Sequence, residues 1–426
     1  VIARTNFKPH TKYTTKDLIE GINRAMGTNL FNQITYSYFI KDGDKLGLTL
    51  NGFEYSKNQV NASLHYDTYR GVGLILNYTA RNILAQSSRL VVTADIAEQP
   101  KARIDFQKNF GKNKDWWWGS ELYGAFLKQE LFISGKSADN MLYNAFEFNN
   151  EANRNLNSLK SYVGLGLNYN YTEVKPKNDP NLNPNILSLN NYNFEDIEVN
   201  AHYSYNDMDK VFFATNGTIL RANINRSLFS DTNINYTDTN LTDYSGQTNG
   251  FTKFGFGFEK RIQLKKKVTG IMGFDANFIF QDKLEDGDVS FSDYGYASKY
   301  FLGGILPTSG SNRFSFPGLH EDEVNASQFM AVKLGAQINP IGKIYLTPHF
   351  NIATVGFDNF NEYIGEAFHP KGNWDNGTET SLLLSGGAAA SYLSILGPIH
   401  FDVSWVNNID KVRLFFSVGF SFNPSN

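Results

Sequence analysis

Cysteine is absent from all 426 residues, so no disulfide framework or thiolate metal site is available, and the absence suits an exported chain whose thiols would meet an oxidising compartment. No stretch approaches the roughly 18 consecutive apolar residues that a spanning helix needs, which excludes a helical membrane protein. Charge of one sign is also missing. The net charge of -3 leaves no basic surface for phosphates and sets nucleic acid aside as a partner. No Gly-x-Ser-x-Gly nucleophile elbow occurs, and the seven His, at 10, 65, 202, 320, 349, 369 and 400, are scattered without metal-ligand spacing. The expectation is therefore no catalytic residue, no metal and no cofactor in this chain.

Aromatic and glycine residues are abundant instead: 35 Phe, 23 Tyr and 36 Gly, with charged residues at 19% and a mean hydropathy of -0.37. From about Gln59 onward the hydrophobic period is 2. Val412, Leu414, Phe416, Val418, Phe420 and Phe422 share one face of the last such segment, and Arg413, Phe415, Ser417, Gly419 and Ser421 the other. Phe401, Val403 and Trp405 oppose His400, Asp402 and Ser404, while Met330, Val332 and Leu334 oppose Ala331, Lys333 and Gly335. Phe254, Phe256 and Phe258 oppose Gly255, Gly257 and Glu259. Soluble strands alternate too, but they usually run about 5–6 residues, whereas these run nearer ten, the length that crosses a bilayer when tilted. Tight connections such as 339–343 and 395–398 alternate with long polar ones near 173–194, 230–250, 281–325 and 357–379. The pattern predicts an all-β transmembrane barrel of about sixteen antiparallel strands in a bacterial outer membrane, with both barrel ends on the periplasmic side. The expected strands are 59–66, 71–82, 88–98, 101–110, 116–133, 141–152, 158–173, 195–206, 217–229, 251–264, 268–281, 327–338, 343–357, 380–394, 398–407 and 411–422. Outer-membrane lipid and lipopolysaccharide are then partners of the outer face, and a homodimer is compatible with the sequence.

Residues 1–57 read differently. An amphipathic helix over Lys16–Met26, with Leu18, Ile22 and Met26 on one face, carries a Thr14/Asp17 capping box and a Gly27 stop. Two alternating segments, 34–40 and 46–50, flank an Asp42-Gly43-Asp44 turn. The chain therefore divides into a small α+β unit, 1–57, expected in the periplasm, and a barrel, 58–426. No signal peptide is present although an exported protein needs one, so the numbering is expected to begin inside a longer precursor.

Parity places Asp95, Arg221, Glu259, Arg261, Asp275, Lys333, His349, Asp402 and Arg413 on the lumen side. Such groups either line a wet transport path or form ion pairs that hold wall and loop together, and the pairing reading is favoured. Inner glycines Gly164, Gly166, Gly255, Gly257, Gly335 and Gly387 allow curvature or the close approach of a plug. Trp116-Trp117-Trp118, after a short turn, suits an aromatic girdle.

Several segments resemble the superfamily of outer-membrane barrels that carry POTRA domains, the bacterial surface antigen family. Tyr13–Arg24 followed by Gly27–Tyr36 is similar to a POTRA helix and its next strand; Lys210–Gly217 resembles the turn leading into the second half of these barrels, and Gly397–Phe401 the start of their penultimate strand. In the superfamily a long sixth external loop folds into the lumen and an Arg-Gly-aromatic tip is pinned to the wall. The matching residues are Gly303, Gly304, Arg313, Phe314, Phe316, Pro317, Gly318 and Leu319, which keep the double glycine and the arginine but alter the tip. Asn351 and Thr354 stand where an acidic wall partner is expected, which speaks against the standard arginine lock. Superfamily members open at the seam between first and last strands; here the resemblance implies residues 59–66 against 411–422, with Ala62, Leu64, Phe416, Phe420 and Phe422 at the seam.

The altered tip and the single POTRA-like unit look most like the carboxy-terminal half of patatin-like outer-membrane phospholipases. That resemblance implies a translocating and anchoring barrel for an upstream lipase domain. The alternatives are an assembly or secretion component acting on periplasmic client proteins and, less favoured, a passive porin. A barrel phospholipase would need a Ser/His pair on the outer wall, and none stands out.

Overall fold

A computed structural model describes all residues except 1–4, 6, 9–10, 27–30, 42–44, 134, 157–159, 183–184, 307–311, 421 and 423–426. Gly27 and the Asp42-Gly43-Asp44 turn lie outside the described residues. Helix α1 (Thr15–Met26) starts at the capping box, where Asp17 Oδ2 accepts from the Thr14 N–H at 2.8 Å and Thr14 Oγ1 accepts from the Asp17 N–H at 3.2 Å. Its Ile22, Ala25 and Met26 pack on Phe31 and Ile34 of strand β1 (Phe31–Lys41), which pairs antiparallel with β2 (Lys45–Glu54).

Sixteen antiparallel strands then close a barrel. They are β3 (Asn58–Asp67), β4 (Gly71–Arg81), β5 (Ser88–Ala97), β6 (Lys101–Phe110), β7 (Trp116–Ile133), β8 (Lys136–Asn155), β9 (Ser161–Pro176), β10 (Leu189–Asn206) and β11 (Gly217–Tyr236), followed, after the short accessory strand β12 (Tyr244–Gln247), by β13 (Phe251–Lys265) and β14 (Val268–Gln281). The last five are β18 (Gln328–Ile338), β19 (Ile344–Gly356), β20 (Ser381–Ser394), β21 (Gly397–Val406) and β22 (Arg413–Val418); β15 (Tyr300–Leu302), β16 (Arg313–Phe314) and β17 (Val324–Ala326) form a separate three-stranded sheet within the loop 282–327. The longest connections, 177–188, 237–250, 282–327 and 357–380, lie at one end of the barrel, the loop end, together with short links such as 68–70, 98–100 and 134–135, and connections of at most ten residues close the other, the turn end.

Burial is inverted relative to a soluble protein. Leu64, Leu76, Phe126, Leu165, Ile224, Leu334, Phe350 and Trp405 are exposed on the outside, while Asp95, Glu198, Lys253, Asn351 and Asp402 are buried. That arrangement is stable only when hydrocarbon covers the outer face. Leu165 is 65% exposed, in the middle of the outward apolar run Val163, Leu165 and Leu167 of β9. Leu165→Arg is expected to cost about 2–4 kcal/mol in lipid, read from urea unfolding in vesicles, while the same change in detergent costs much less. Trp116 and Trp118 face outward at the turn end of β7, and Trp117 turns inward against Tyr162 at 5.4 Å.

Four strands differ from the sequence expectation. β8, β10 and β11 run on past the alternating segments; in the extensions of β10 and β11 the phase is inverted, with Asp231, Asn233 and Asn235 on the outward face and Tyr192, Phe194 and Ile234 buried inside, while the hydrogen-bonded ladder continues. β22 is instead shorter than 411–422: Gly419, at φ +97°, turns the chain out of the strand, and Phe422 lies buried beside Tyr123 and Arg103 of the lumen wall rather than on the greasy face. Thr354, expected on the inner wall, faces outward and shares a 2.8 Å hydrogen bond with Tyr363 of helix α2 (Phe360–Glu366). The inner glycines are covered by neighbouring wall side chains rather than by a plug: His202 and Asn153 occupy the space over Gly164, and Asn223 and Asn277 that over Gly255.

Candidate functional site: the inserted loop and the seam

The loop 282–327 occupies the loop-end half of the lumen. Its Phe291, Tyr300, Phe301, Leu302, Phe316 and Leu319 form one apolar cluster with inward residues of the wall, among them Tyr143, Phe194, Phe251, Phe329, Val355 and Leu383. Burying so many large side chains, each contributing about 1.5–3 kcal/mol, makes the loop a packed plug rather than a loose lid. Two glycines allow its sharp reversal. Gly303 has φ +151° and Gly304 φ +72°, and their N–H groups donate to the Phe314 carbonyl at 2.9 Å and the Leu319 carbonyl at 3.2 Å.

Arg313 does not reach the wall for an ionic partner. Its guanidinium pairs with Asp322 of the same loop and lies 4.9 Å from the ring centres of both Tyr143 and Phe301. Asn351 hydrogen-bonds Ser385 at 3.0 Å and so has no part in a lock.

The lock runs in the opposite direction, from loop carboxylates to wall arginines. Glu321 takes a forked pair of hydrogen bonds from Arg70, with Nη2 at 2.6 Å and Nε at 3.1 Å from Oε1. Glu323 pairs with Arg413, whose Nη2 lies 2.9 Å from Oε1 and whose Nη1 donates to the Gly318 carbonyl at 2.8 Å. Arg70 sits in the β3–β4 connection and Arg413 opens β22, so two carboxylates of the segment 321–323 hold the loop ends of the strands on either side of the seam. Bidentate, desolvated pairs of this kind are among the stronger polar contacts a protein makes. His320 completes the contact: its ring stacks on Phe132 at 4.8 Å and meets the edge of Tyr69 at 5.7 Å. Glu321, Glu323 and Arg70 were not singled out from the sequence; three successive acidic residues beside a loop expected to insert were the available signal.

Titration of this contact follows from its burial. Burial and then the Arg413 charge push His320 down to about 4. Burial alone would raise Glu321, but Arg70 outweighs it and holds the carboxyl below the usual range. The folded values of His320 and Glu321 are depressed, so for these groups the unfolded chain binds more protons: their contribution is full above the unfolded His value of about 6.5 and falls as pH drops toward 4, with Glu321 adding its loss at the lower end, where Glu323, raised by burial, opposes it. Protease cleavage within 282–327 is expected to accelerate on acidification through that window, and His320→Phe to flatten its upper part. Faster cleavage at higher pH would contradict this.

The seam itself is thin. Ser417 stands opposite Asp67 and Val418 opposite Tyr66, and the Thr68 N–H donates to the Phe416 carbonyl at 3.0 Å; no further register pair joins β22 to β3 among the described residues. On its other side β3 is laddered to β4 from Asn58/Ala80 through Asp67/Gly71. Ala62 and Leu64 therefore lie, among the described residues, on a strand edge without a β22 partner, while Phe416 is exposed on the outer face beside the seam, Phe420 is exposed just past the strand end and Phe422 is buried.

The remaining predicted lumen residues come together in pairs. Asp95 meets His65 at 2.8 Å, Arg261 meets Glu259 at 2.7 Å, Lys333 meets Asp275 at 2.9 Å and His349 meets Asp402 at 2.8 Å. Arg221 projects from β11 opposite Ser204 of β10.

A closed sixteen-stranded wall, filled from one end by its own sixth loop and weakly paired at one seam, defines a plugged outer-membrane barrel. The chain belongs to the OMP85 superfamily, whose family profile matches residues 45–422. No curated protein sequence matches it. Among solved structures it is similar to BamA from Haemophilus ducreyi lacking POTRA domains 1–3, with 14% identity, a TM-score of 0.62, and coverage of 98% of this chain and 80% of that one. It is also similar to CdiB from Acinetobacter baumannii (11% identity, TM-score 0.56, 97% and 69% covered) and CdiB from Escherichia coli (8%, 0.57, 98% and 73%). At these identities the likeness is one of fold.

Proposed function

We propose that this barrel moves or inserts polypeptide clients across the outer membrane by way of the β3/β22 seam. The observation that carries the reading is the unequal pairing of β3. Among the described residues no register pair with β22 falls on its Asn58–His65 edge, while its other edge is laddered throughout, and an open edge is a template for an added strand. In this orientation the turn end faces the periplasm, and α1 with β1 and β2 forms a POTRA-like periplasmic element that receives the client. Depleting the protein and comparing the outer-membrane and surface proteomes tests it: selective loss of one or a few client proteins is expected, and an unchanged proteome counts against it.

A second reading makes the chain the membrane anchor of a patatin-like lipase domain. The altered tip Phe314-Ser315-Phe316-Pro317-Gly318-Leu319 favours it. The intact mass of the native polypeptide separates the two, since an attached domain adds about 30 kDa.

A further inference from the structure

The β10–β11 connection, residues 207–216, is the longest at the turn end, and it is braced from within. Asp209 accepts from the N–H groups of Thr215 at 2.8 Å and Asn216 at 3.1 Å and from the Thr215 hydroxyl at 2.6 Å, while Asp207 accepts from the Thr218 N–H at 2.6 Å. Phe213 at its tip has φ +51°, a conformation that a bulky residue keeps only when its surroundings over-determine it.

Those surroundings are strands far round the ring. The Phe213 ring stacks on Tyr345 of β19 at 4.1 Å and 5° and lies 5.8 Å from His400 of β21, and the Phe212 ring is 5.8 Å from Phe420, just past β22. Gln337 of β18 donates to the Phe213 carbonyl at 3.3 Å, and Arg261 of β13 to the Ala214 carbonyl at 3.4 Å. β10 and β11 lie on the opposite side of the ring from β21 and β22, so the connection crosses the mouth instead of merely joining two neighbours.

We propose that this turn is a bar across the turn-end mouth that also ties down the end of the terminal strand, giving the barrel a second closure independent of the inserted loop. The plug seals the lumen from the loop end through apolar packing and carboxylate–arginine pairs. The bar seals it from the turn end through an aromatic stack and two carbonyls. Opening the loop alone leaves the turn-end mouth shut, and release of Phe212 from Phe420 frees the end of β22.

Because the chain has no cysteine, introduced thiols are unique. Two measurements on the full chain in lipid nanodiscs test the bar. A short bifunctional thiol reagent is expected to crosslink the Phe212→Cys/Phe420→Cys variant within one chain; failure to crosslink in a folded barrel overturns the proposal. His400→Cys, lying against the Phe213 ring, is expected to react with a bulky maleimide about tenfold faster once Phe212 and Phe213 are both replaced by Gly. An unchanged rate in that folded variant, or acceleration by Glu323→Ala but not by the turn substitutions, overturns it. Should the double-Gly variant not fold, Gln337→Ala, which removes one brace and keeps both rings, carries the same comparison, with a smaller acceleration expected.

Discussion

Replacing Glu323 with alanine is expected to undock the sixth loop and weaken the loop end of β22 together. The Glu323 side chain is 1% exposed and that of Arg413 10% exposed, so the substitution leaves a buried guanidinium on the wall whose remaining hydrogen-bond partners among the described residues are the carbonyls of Gly318 and Gly135. Stranding one partner of a buried pair costs about 3–5 kcal/mol, whereas removing both charges costs much less. The Glu323→Ala/Arg413→Leu double variant should therefore recover much of the loss. Protease protection of 282–327 and single-channel conductance check this: the single variant is expected to be cleaved rapidly and to conduct in bursts. Additive losses in the double variant would show that the two groups do not act as a pair. Arg70→Ala probes the other side of the seam by the same logic, because Glu321 depends on that one forked partner.

Gly303→Val is expected to have an effect of similar size through the backbone. A Cβ at this position would fall on the His320 carbonyl oxygen and within 2.9 Å of the Asp322 nitrogen, directly beneath the carboxylates that hold the seam. The backbone at φ +151° is one that L side chains rarely adopt. Strain of about 1–3 kcal/mol and overpacking of similar size add at one point. The loop is expected to leave the lumen with the barrel wall intact, seen as a heat-modifiable folded band whose loop is protease-sensitive. A protected loop in the valine variant would mean that the reversal at Gly303 is not what positions 320–323.

The wall was legible in the sequence because lipid outside and water inside impose a strict period of 2, and Leu165/Gly166 or Val403/Ser404 show it residue by residue. The reading stopped where that contrast stops. Above the membrane Asp231, Asn233 and Asn235 take the outward face and Ile234 turns inward, so polar and apolar faces are exchanged and hydropathy reads the stretch as loop. At Gly419 the opposite error arises, since Phe420 and Phe422 preserve the alternation while the backbone has already left the strand. Parity likewise assigned His349 and Asp402 to the lumen but gave no means of pairing side chains from different strands. The inserted loop was recognisable from Gly303, Gly304 and Arg313. Its lock was not, because the pairing of Glu321 with Arg70 and Glu323 with Arg413 joins residues about 250 and 90 positions apart and exists only once the loop has folded back between the first and last strands.

The most direct test of a working seam is to tether it. Tyr66 and Val418 stand opposite one another in the short β3–β22 ladder, and cysteines introduced at both positions form the only disulfide available to the chain. With the tether closed, the surface or outer-membrane level of the client proteins identified by depletion is expected to fall to that of the depleted strain and to recover when the disulfide is reduced. Unchanged client levels with the disulfide fully formed would contradict a seam that opens.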